Sequence, residues 1–280
     1  MSSIFRTIET SNPGLETEGL RFVTIKSPAL RQRADLTLFV PRQAATVRDV
    51  SVVILLHGVY GSHWAWGLKG GAHRTAARLI DAGDIPPAVL AMPSDGLWGD
   101  GSGYLRHSSQ DFERWIAEEV PAAVRETVPG VSRLSPLFIS GLSMGGFGAL
   151  RLAAKHPRTF RGAGAHSAMT HFEQHAQFVE ESLQFYSCPP EDRSVFETML
   201  RNRDLLPPLR FDCGTQDPLL HANRELHAQL EVAGISHEYV EFPGGHEWAY
   251  WEAHLSDMLR FFGGLMEKNR AASAQHGGVP

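Results

Sequence analysis

The segment PLFISGLSMGGFGALRLAA, residues 136–154, decides the fold of this chain. Its apolar run Leu137–Ser140 is typical of a buried strand, and a helix-like segment, Gly146–Lys155, follows. Between them, Gly141–Gly145 matches the pattern G-x-S-x-G, in which a strained strand-to-helix turn exposes the hydroxyl of its central serine. Glycines at both ends let strand and helix approach closely. We therefore predict a nucleophile elbow with Ser143 at its tip; the alternative is a Gly/Ser-rich turn that matches by chance.

Composition limits the classes of protein to consider. The chain has 280 residues, of which 42% are hydrophobic, enough for one α/β domain with a sizeable core. Its formal charge of -5 argues against nucleic acid or an anionic membrane surface as the main partner. No apolar run reaches the roughly 18 residues of a membrane span. We expect a soluble protein with a small-molecule partner, and a homo-oligomer stays open.

The cysteines and the two ends of the chain bear on location and order. Cys188 and Cys213 do not suggest a disulfide framework, and we expect both to be reduced. The opening residues, MSSIFRTIETSNPG, lack the basic and apolar regions of a signal peptide. These features predict a cytoplasmic protein. The small, polar segment 271–280 predicts a disordered tail.

Strands and helices alternate along the chain. The predicted strands are Arg21–Lys26, Leu36–Val40, Val50–Leu56, Ala88–Met92, Leu137–Ser140, Gly162–Ala165, Leu209–Cys213 and His237–Phe242. The predicted helices are His73–Ala82, Gln110–Val128 with a kink at Pro121, Gly146–Lys155, Pro218–Ala233 and Glu247–Met266. This alternation predicts a mostly parallel, doubly wound sheet with helices on both faces and an antiparallel pair at one edge. Residues 1–270 would form one domain, with a lid-like insertion at 170–206.

Two loops that follow strands offer Ser143 an acid and a base. A serine hydroxyl needs a histidine that is itself oriented by a carboxylate, and functional groups of such sheets gather at the carboxyl ends of strands. Asp217 follows the strand 209–213, and His246 follows the strand 237–242. The order Ser, Asp, His along the chain is the order of α/β-hydrolases.

Each assignment has an alternative. Asp217 precedes Pro218 and could serve only as a helix cap, and His246 could be a solvated loop residue. Asp212 is the rival acid, but it falls inside a predicted strand, where it would be buried or point away from the loops. The strand-end positions favour Asp217 and His246.

Backbone N–H groups should stabilise the oxyanion of a tetrahedral intermediate. Met144 follows the serine and supplies one predicted donor. Val59, in the loop after the strand 50–56, supplies the other, with Tyr60 as the competing donor. His57 is expected to brace this loop through a hydrogen bond.

Side chains near these loops are the candidate substrate contacts. They are Tyr60, Trp64, Trp66, Trp98, His221 and Trp248. The aromatic rings could instead pack the loops or the core, and His221 could merely decorate the start of a helix. His171 and His175 are four residues apart, but no third ligand pattern accompanies them, so neither a metal nor a cofactor is predicted.

Five motifs together resemble the putative esterase (esterase D-like) family of α/β-hydrolases, over roughly Val50 to Phe262. They are HGVYGSHWAW, MPSDGLWGDGSGY, GLSMGGFGAL, CGTQDPLLHANRELHAQL and EFPGGHEWAYWEAHL. The resemblance implies the α/β-hydrolase fold, with nucleophile, acid, base and oxyanion donors at Ser143, Asp217, His246, Val59 and Met144.

That family includes small carboxylesterases, feruloyl esterases and S-formylglutathione hydrolases. The resemblance implies a serine carboxylesterase that acts on short- to medium-chain esters through an acyl-enzyme, without a cofactor. A thioesterase or acyltransferase with the same residues is the first alternative. A hydrolase-fold protein that only binds a ligand is the second, which an intact set of serine, histidine and acid argues against.

Overall fold

A nine-stranded sheet organises the computed structural model, which describes residues 3–276, with side chains to residue 271. The strands are β1 (Ile8–Thr10), β2 (Leu20–Lys26), β3 (Arg33–Phe39), β4 (Ser51–Leu56), β5 (Ala88–Pro93), β6 (Leu137–Gly141), β7 (Phe160–His166), β8 (Leu209–Gly214) and β9 (Glu238–Phe242). Their order in the sheet is β1-β2-β3-β5-β4-β6-β7-β8-β9. Strands β1 to β3 pair antiparallel with their neighbours, and all pairs from β5 to β9 are parallel. The predicted parallel sheet with an antiparallel edge is confirmed.

Helices cover both faces of the sheet. They are α1 (Ala72–Asp81), α2 (Phe112–Arg114), α3 (Val120–Thr127), α4 (Met144–Lys155), α5 (Val195–Arg201), α6 (Leu220–Val232) and α7 (Trp248–His276). Alternate side chains of β6 enter opposite cores: Phe138 belongs to the core that also holds residues of α1 and α7, whereas Ile139 belongs to the core that also holds residues of α3 and α4. Because neither face of β6 is exposed to solvent, its side chains on both faces are apolar or small, which explains its continuous apolar sequence. No helix in the described part of the chain has both the length and the apolar composition to cross a membrane.

Two helices differ from their predicted course. The helix predicted from Gln110 to Val128 is composite, because a π-helical turn, Trp115–Glu119, separates α2 from α3. Pro121 then lies in the first turn of α3, directly after the π-helical turn, so the helix is irregular just where a backbone N–H is missing. Helix α7 continues to His276, into the segment 271–280 that the sequence predicts as a tail; residues 277–280 lie outside the described part.

Short helical turns and α5 make up the segment 170–206, which packs beside the loop that follows β5. The turns are Phe172–Gln177, Leu183–Phe185, Pro190–Asp192 and Arg203–Leu205. The hydroxyl of Tyr186 donates to the carbonyl oxygen of Gly101 at 2.8 Å, and Lys155 Nζ on α4 donates to Asp192 at 2.7 Å. These bonds tie the segment both to α4 and to the loop next to the elbow.

Candidate active site

The turn between β6 and α4 holds Ser143 in a strained conformation. Its backbone angles, φ 54° and ψ -119°, lie outside the regions that side chains normally allow. A Cβ on Gly141 or Gly145 would come well under 3.0 Å from backbone atoms, those of Gly145 and of Leu56 respectively. Only glycine fits either position. The Ser143 N–H donates to the His166 carbonyl at 3.0 Å, so the turn is also fixed to β7.

Three predicted residues meet above this turn. His246 Nε2 lies 3.0 Å from Ser143 Oγ, and His246 Nδ1 lies 2.9 Å from Asp217 Oδ2. Because a carboxylate only accepts, Nδ1 carries the imidazole proton and Nε2 is left to accept from the serine hydroxyl. The other Asp217 oxygen accepts the Leu219 N–H at 2.8 Å. One carboxylate thus fixes both the loop before α6 and the tautomer of His246.

Two aromatic rings hold the imidazole from different sides. Phe178 stacks on His246 with ring centroids 5.4 Å apart, and Trp251 meets it edge-on at 5.0 Å. The Trp251 Nε1–H donates to Ser167 Oγ at 3.3 Å, which fixes that ring in turn. Neither ring is predicted from the sequence. Phe178 lies in the 170–206 segment, where no periodic pattern marks it, whereas Trp251 belongs to the motif EFPGGHEWAYWEAHL and follows His246 by five residues.

A second histidine–aspartate pair lies buried beneath the serine. Asp212 accepts from Arg210 at 2.8 Å and from Tyr250 at 3.0 Å, and His166 Nδ1 lies 2.9 Å from it. Burial acts to raise the pKa of Asp212, but the charges and hydrogen bonds of His166 and Arg210 lower it overall. The Asp212 carboxylate is therefore used in hydrogen bonds that join β7, β8 and α7, and His246 is not among its partners.

Two backbone N–H groups beside the serine are free to donate. Neither Val59 nor Met144 has an acceptor for its N–H among the described residues. The Tyr60 N–H, by contrast, donates to the Asp100 carbonyl at 2.7 Å. Gly58 brings this loop against the serine, since a Cβ there would lie 3.3 Å from Ser143 Cβ. The geometry therefore favours Val59 over Tyr60 as the second donor.

His57 braces the same loop, as the sequence predicts. Its Nδ1 lies 2.7 Å from the Gly58 carbonyl oxygen, and its Nε2 accepts the Asp95 N–H at 3.1 Å. The ring is 2% exposed, so it acts through the backbone and not on substrate. Asp95 continues the brace, because its carboxylate accepts the N–H groups of Leu97 and Ser102.

The candidate substrate contacts separate into buried and exposed groups. Trp66 is 1% exposed and donates its Nε1–H to the Leu56 carbonyl at 2.9 Å, so its predicted contact with substrate is wrong and it belongs to the core. Trp98 stacks on His107 at 4.4 Å and packs its own loop. Trp248 is half-buried and meets Trp251 edge-on at 5.4 Å, one ring away from His246.

The other three candidates are exposed. Tyr60 and Trp64 are 66% and 43% exposed on the loops after β4. His221 is exposed on the first turn of α6, a few residues beyond Asp217. Their side chains are therefore open to a ligand.

A serine on a strained elbow is hydrogen-bonded to a histidine, which is in turn hydrogen-bonded to an aspartate, and both partners follow later strands. This arrangement defines a serine hydrolase of the α/β-hydrolase fold. The model of the family described as "Putative esterase" matches residues 27–262. The chain belongs to this family, and it is an enzyme that hydrolyses ester bonds.

Known relatives span most of the chain. An acetyl esterase of Caldicellulosiruptor saccharolyticus is 26% identical over 232 residues, which are 76% of this chain and 83% of the relative. The structure of a ferulic acid esterase superposes with a TM-score of 0.76 at 23% identity, over 93% of this chain and 99% of that one. An S-formylglutathione hydrolase of Staphylococcus aureus gives a TM-score of 0.72 at 18% identity, over 91% and 98%. At these identities the two structures show the shared fold.

Proposed function

We propose that the chain is a serine carboxylesterase in which Ser143, His246 and Asp217 form the catalytic triad. The observation that carries the proposal is the continuous chain of hydrogen bonds, 3.0 and 2.9 Å long, from the serine hydroxyl through the imidazole to the buried carboxylate. Such a chain lets His246 act as a base at Nε2 while Asp217 stabilises the imidazolium that forms.

The reaction then has two steps with balanced proton transfers. Ser143 Oγ bonds to the ester carbonyl carbon as His246 takes its proton, and the imidazolium returns that proton to the departing alcohol as the ester C–O bond breaks. Water attacks the acyl carbon as His246 takes its proton; the bond between that carbon and Ser143 Oγ then breaks, the imidazolium returns the proton to Oγ, and the carboxylic acid leaves. The free N–H groups of Val59 and Met144 are the proposed oxyanion donors, since neither has a protein acceptor to give up.

Acidic side chains beside the site favour a neutral ester over a glutathione thioester. The Glu180 N–H donates to the Asp100 carboxylate at 2.7 Å, and the Asp100 N–H donates to the Glu181 carboxylate at 3.1 Å, so at least two carboxylates lie together there. The next residue, Gly101, lies against the side chains of Met144 and Val59. Glutathione carries a net negative charge at neutral pH, and carboxylates next to the site would repel it.

The 170–206 segment is proposed to roof the acyl side of the site as part of the same domain. Phe178 from this segment stacks on His246, and Trp251 crowds the other side of the ring. Limited space beside the imidazole favours the short- to medium-chain acyl groups expected from the sequence. A cytoplasmic location is also proposed, supported by two buried cysteines that are both free.

The test is Ser143→Ala, which removes Oγ and keeps the Cβ that the elbow already accommodates. We expect hydrolysis of p-nitrophenyl acetate to fall by about 10⁴-fold or more, with an unchanged melting temperature. Ser187→Ala, at an exposed serine of the 170–206 segment, is the matched control and should keep full activity. Wild-type turnover in Ser143→Ala would refute the mechanism.

Substrate panels separate the proposal from its nearest alternative. We expect kcat/KM to be higher for neutral p-nitrophenyl esters of two to six carbons than for S-formylglutathione. A preference for the glutathione thioester would instead assign the same triad to a thioesterase. Ester formation with an added alcohol in place of hydrolysis would assign an acyltransferase.

A further inference from the structure

A second cluster of side chains lies where the last turns of α6 meet the start of β9. His227 and Glu231 stand one helical turn apart on α6, and His237 lies in the loop before β9. One ligand atom from each of the three lies within 4.8 Å of the other two. We propose that His227, Glu231 and His237 bind a divalent transition-metal ion of the zinc type. This set is separate from the His171 and His175 pair of the sequence analysis, and it does not depend on the proposed esterase mechanism.

His237 is already oriented as a metal ligand is, whereas His227 would exchange its hydrogen bond to His237 for the ion. His237 Nδ1 lies 2.8 Å from the Ile235 carbonyl oxygen, which only accepts, so Nδ1 carries the proton. The lone pair of His237 Nε2 then points at His227 Nδ1, 2.7 Å away. Histidines that bind metals typically donate their other ring N–H to a backbone carbonyl or a carboxylate in this way.

Packing fixes the two rings before any ion binds. Phe211 on β8 stacks on His237 with ring centroids 5.5 Å apart and planes 16° from parallel. Tyr239 on β9 stacks on His227 at 4.8 Å and 28°. An imidazole held by its neighbours loses little conformational freedom on binding, which favours affinity.

Glu231 supplies the third ligand. It is exposed and lies four residues after His227, on the same face of α6. Its carboxylate makes no hydrogen bond or ion pair with another side chain among residues 3–271, so it is free to turn toward the imidazoles. With the ion about 2.0–2.1 Å from each nitrogen at a tetrahedral angle, the two nitrogens lie about 3.3–3.4 Å apart. They are now 2.7 Å apart, so the rings must separate by about 0.6–0.7 Å and turn toward the ion.

The donor set selects the class of ion. Two imidazole nitrogens and one carboxylate oxygen suit zinc, cobalt, nickel or copper, whereas calcium and magnesium prefer oxygen donors throughout. Three protein ligands leave one position of a tetrahedral ion to water. A plain hydrogen bond between His227 and His237 is the competing explanation, and it requires no third group.

The ion would join the end of α6 to the start of β9, whereas the proposed acid and base lie at the opposite ends of these two elements. Helix α6 begins just after Asp217, and β9 ends just before the loop that holds His246. The strand places the cluster about 13 Å or more from that loop. We therefore infer a structural ion that stabilises the fold and takes no part in hydrolysis.

Zinc titration of chelator-treated, full-length protein tests the proposal. Calorimetry should show one Zn²⁺ per chain with a micromolar Kd, and the melting temperature should rise by about 5 °C at 100 times that Kd. Glu231→Gln should weaken binding tenfold or more, and His237→Asn should abolish stoichiometric binding. Glu225→Gln removes another exposed carboxylate of α6 and should keep the wild-type Kd.

Equal Zn²⁺ affinity in wild type, Glu231→Gln and His237→Asn would overturn the site, as would no stoichiometric binding below 1 mM Zn²⁺. If His237→Asn does not fold, the Zn²⁺ affinity of Glu231→Gln alone tests the site, because that exposed side chain is not part of the core. An esterase rate that depends on the bound ion would contradict the structural role.

Discussion

Replacement of Asp217 by asparagine changes one atom, and the surrounding hydrogen bonds determine how the new amide must turn. One carboxylate oxygen accepts the Leu219 N–H at 2.8 Å, and the other faces His246 Nδ1 at 2.9 Å. The Asp217 side chain is fully buried, so water cannot replace either partner. An amide offers one oxygen and one NH₂ group, and only one orientation keeps the Leu219 N–H satisfied.

That orientation leaves His246 in the wrong tautomer. If the amide oxygen turned away from Leu219, the buried Leu219 N–H would lose its acceptor at a cost of about 1–3 kcal/mol. The oxygen therefore stays on Leu219, and the NH₂ group faces the imidazole. His246 must then accept at Nδ1 and carry its proton at Nε2, where it can no longer take the proton of Ser143. The equivalent substitution in a serine-protease triad lowers kcat about 10⁴-fold, and we expect a similar loss here, about 5.4 kcal/mol of transition-state stabilisation.

The assay is steady-state hydrolysis of p-nitrophenyl acetate, with circular dichroism to verify the fold. Asp204→Asn is the control, because its side chain is 94% exposed and the same chemical change should leave kcat unaltered. A kcat for folded Asp217→Asn within tenfold of wild type would show that this carboxylate does not set the tautomer of His246.

Two further predictions concern stability. Gly145→Ala forces a Cβ onto a backbone carbonyl of β4 and should destabilise the fold by at least about 1–3 kcal/mol. The control Gly264→Ala, on α7, places a Cβ where no atom lies within 4 Å and should stabilise the fold by about 0.5–1 kcal/mol. Equal midpoints of urea unfolding for the two variants would contradict this prediction. Burial acts to raise the pKa of Glu113, but the hydrogen bond to His156 and two cations of α4 lower it well below 4.5. The unfolded chain then binds this proton first, so the stabilisation is complete at neutral pH and is lost as pH falls below about 4.5. Glu113→Gln should therefore cost about 3 kcal/mol at pH 7 and clearly less at pH 3.5, and a pH-independent difference in urea unfolding would refute the role.

Much of the fold follows from local patterns. Strands β4, β5 and β6 are short, mostly apolar runs, and helical periodicity separates the later strands, so the alternation of strands and helices is enough to predict a parallel sheet. Errors occur where the pattern is weak: β1 has three residues, and the π-turn before Pro121 leaves the helical spacing of the apolar residues almost unchanged.

By itself, the sequence determined which residues stand at the strand ends. Carboxyl ends of parallel strands share one edge, so Ser143, Asp217 and His246 could be named together from their places after β6, β8 and β9. The need for glycine at both ends of the elbow could be predicted equally well, because a tight strand-to-helix turn excludes a Cβ wherever the two backbones approach.

Only the tertiary structure decided the rest, because those contacts join residues with no local relation. The stacking of Phe178 on His246 spans 68 positions along the chain, and no periodicity encodes it. The burial of Trp66 depends on α7 packing over it, and the choice of Val59 over Tyr60 depends on a single carbonyl at Asp100. The turn that presents Ser143 follows from its local sequence, but the sheet brings together the groups around it.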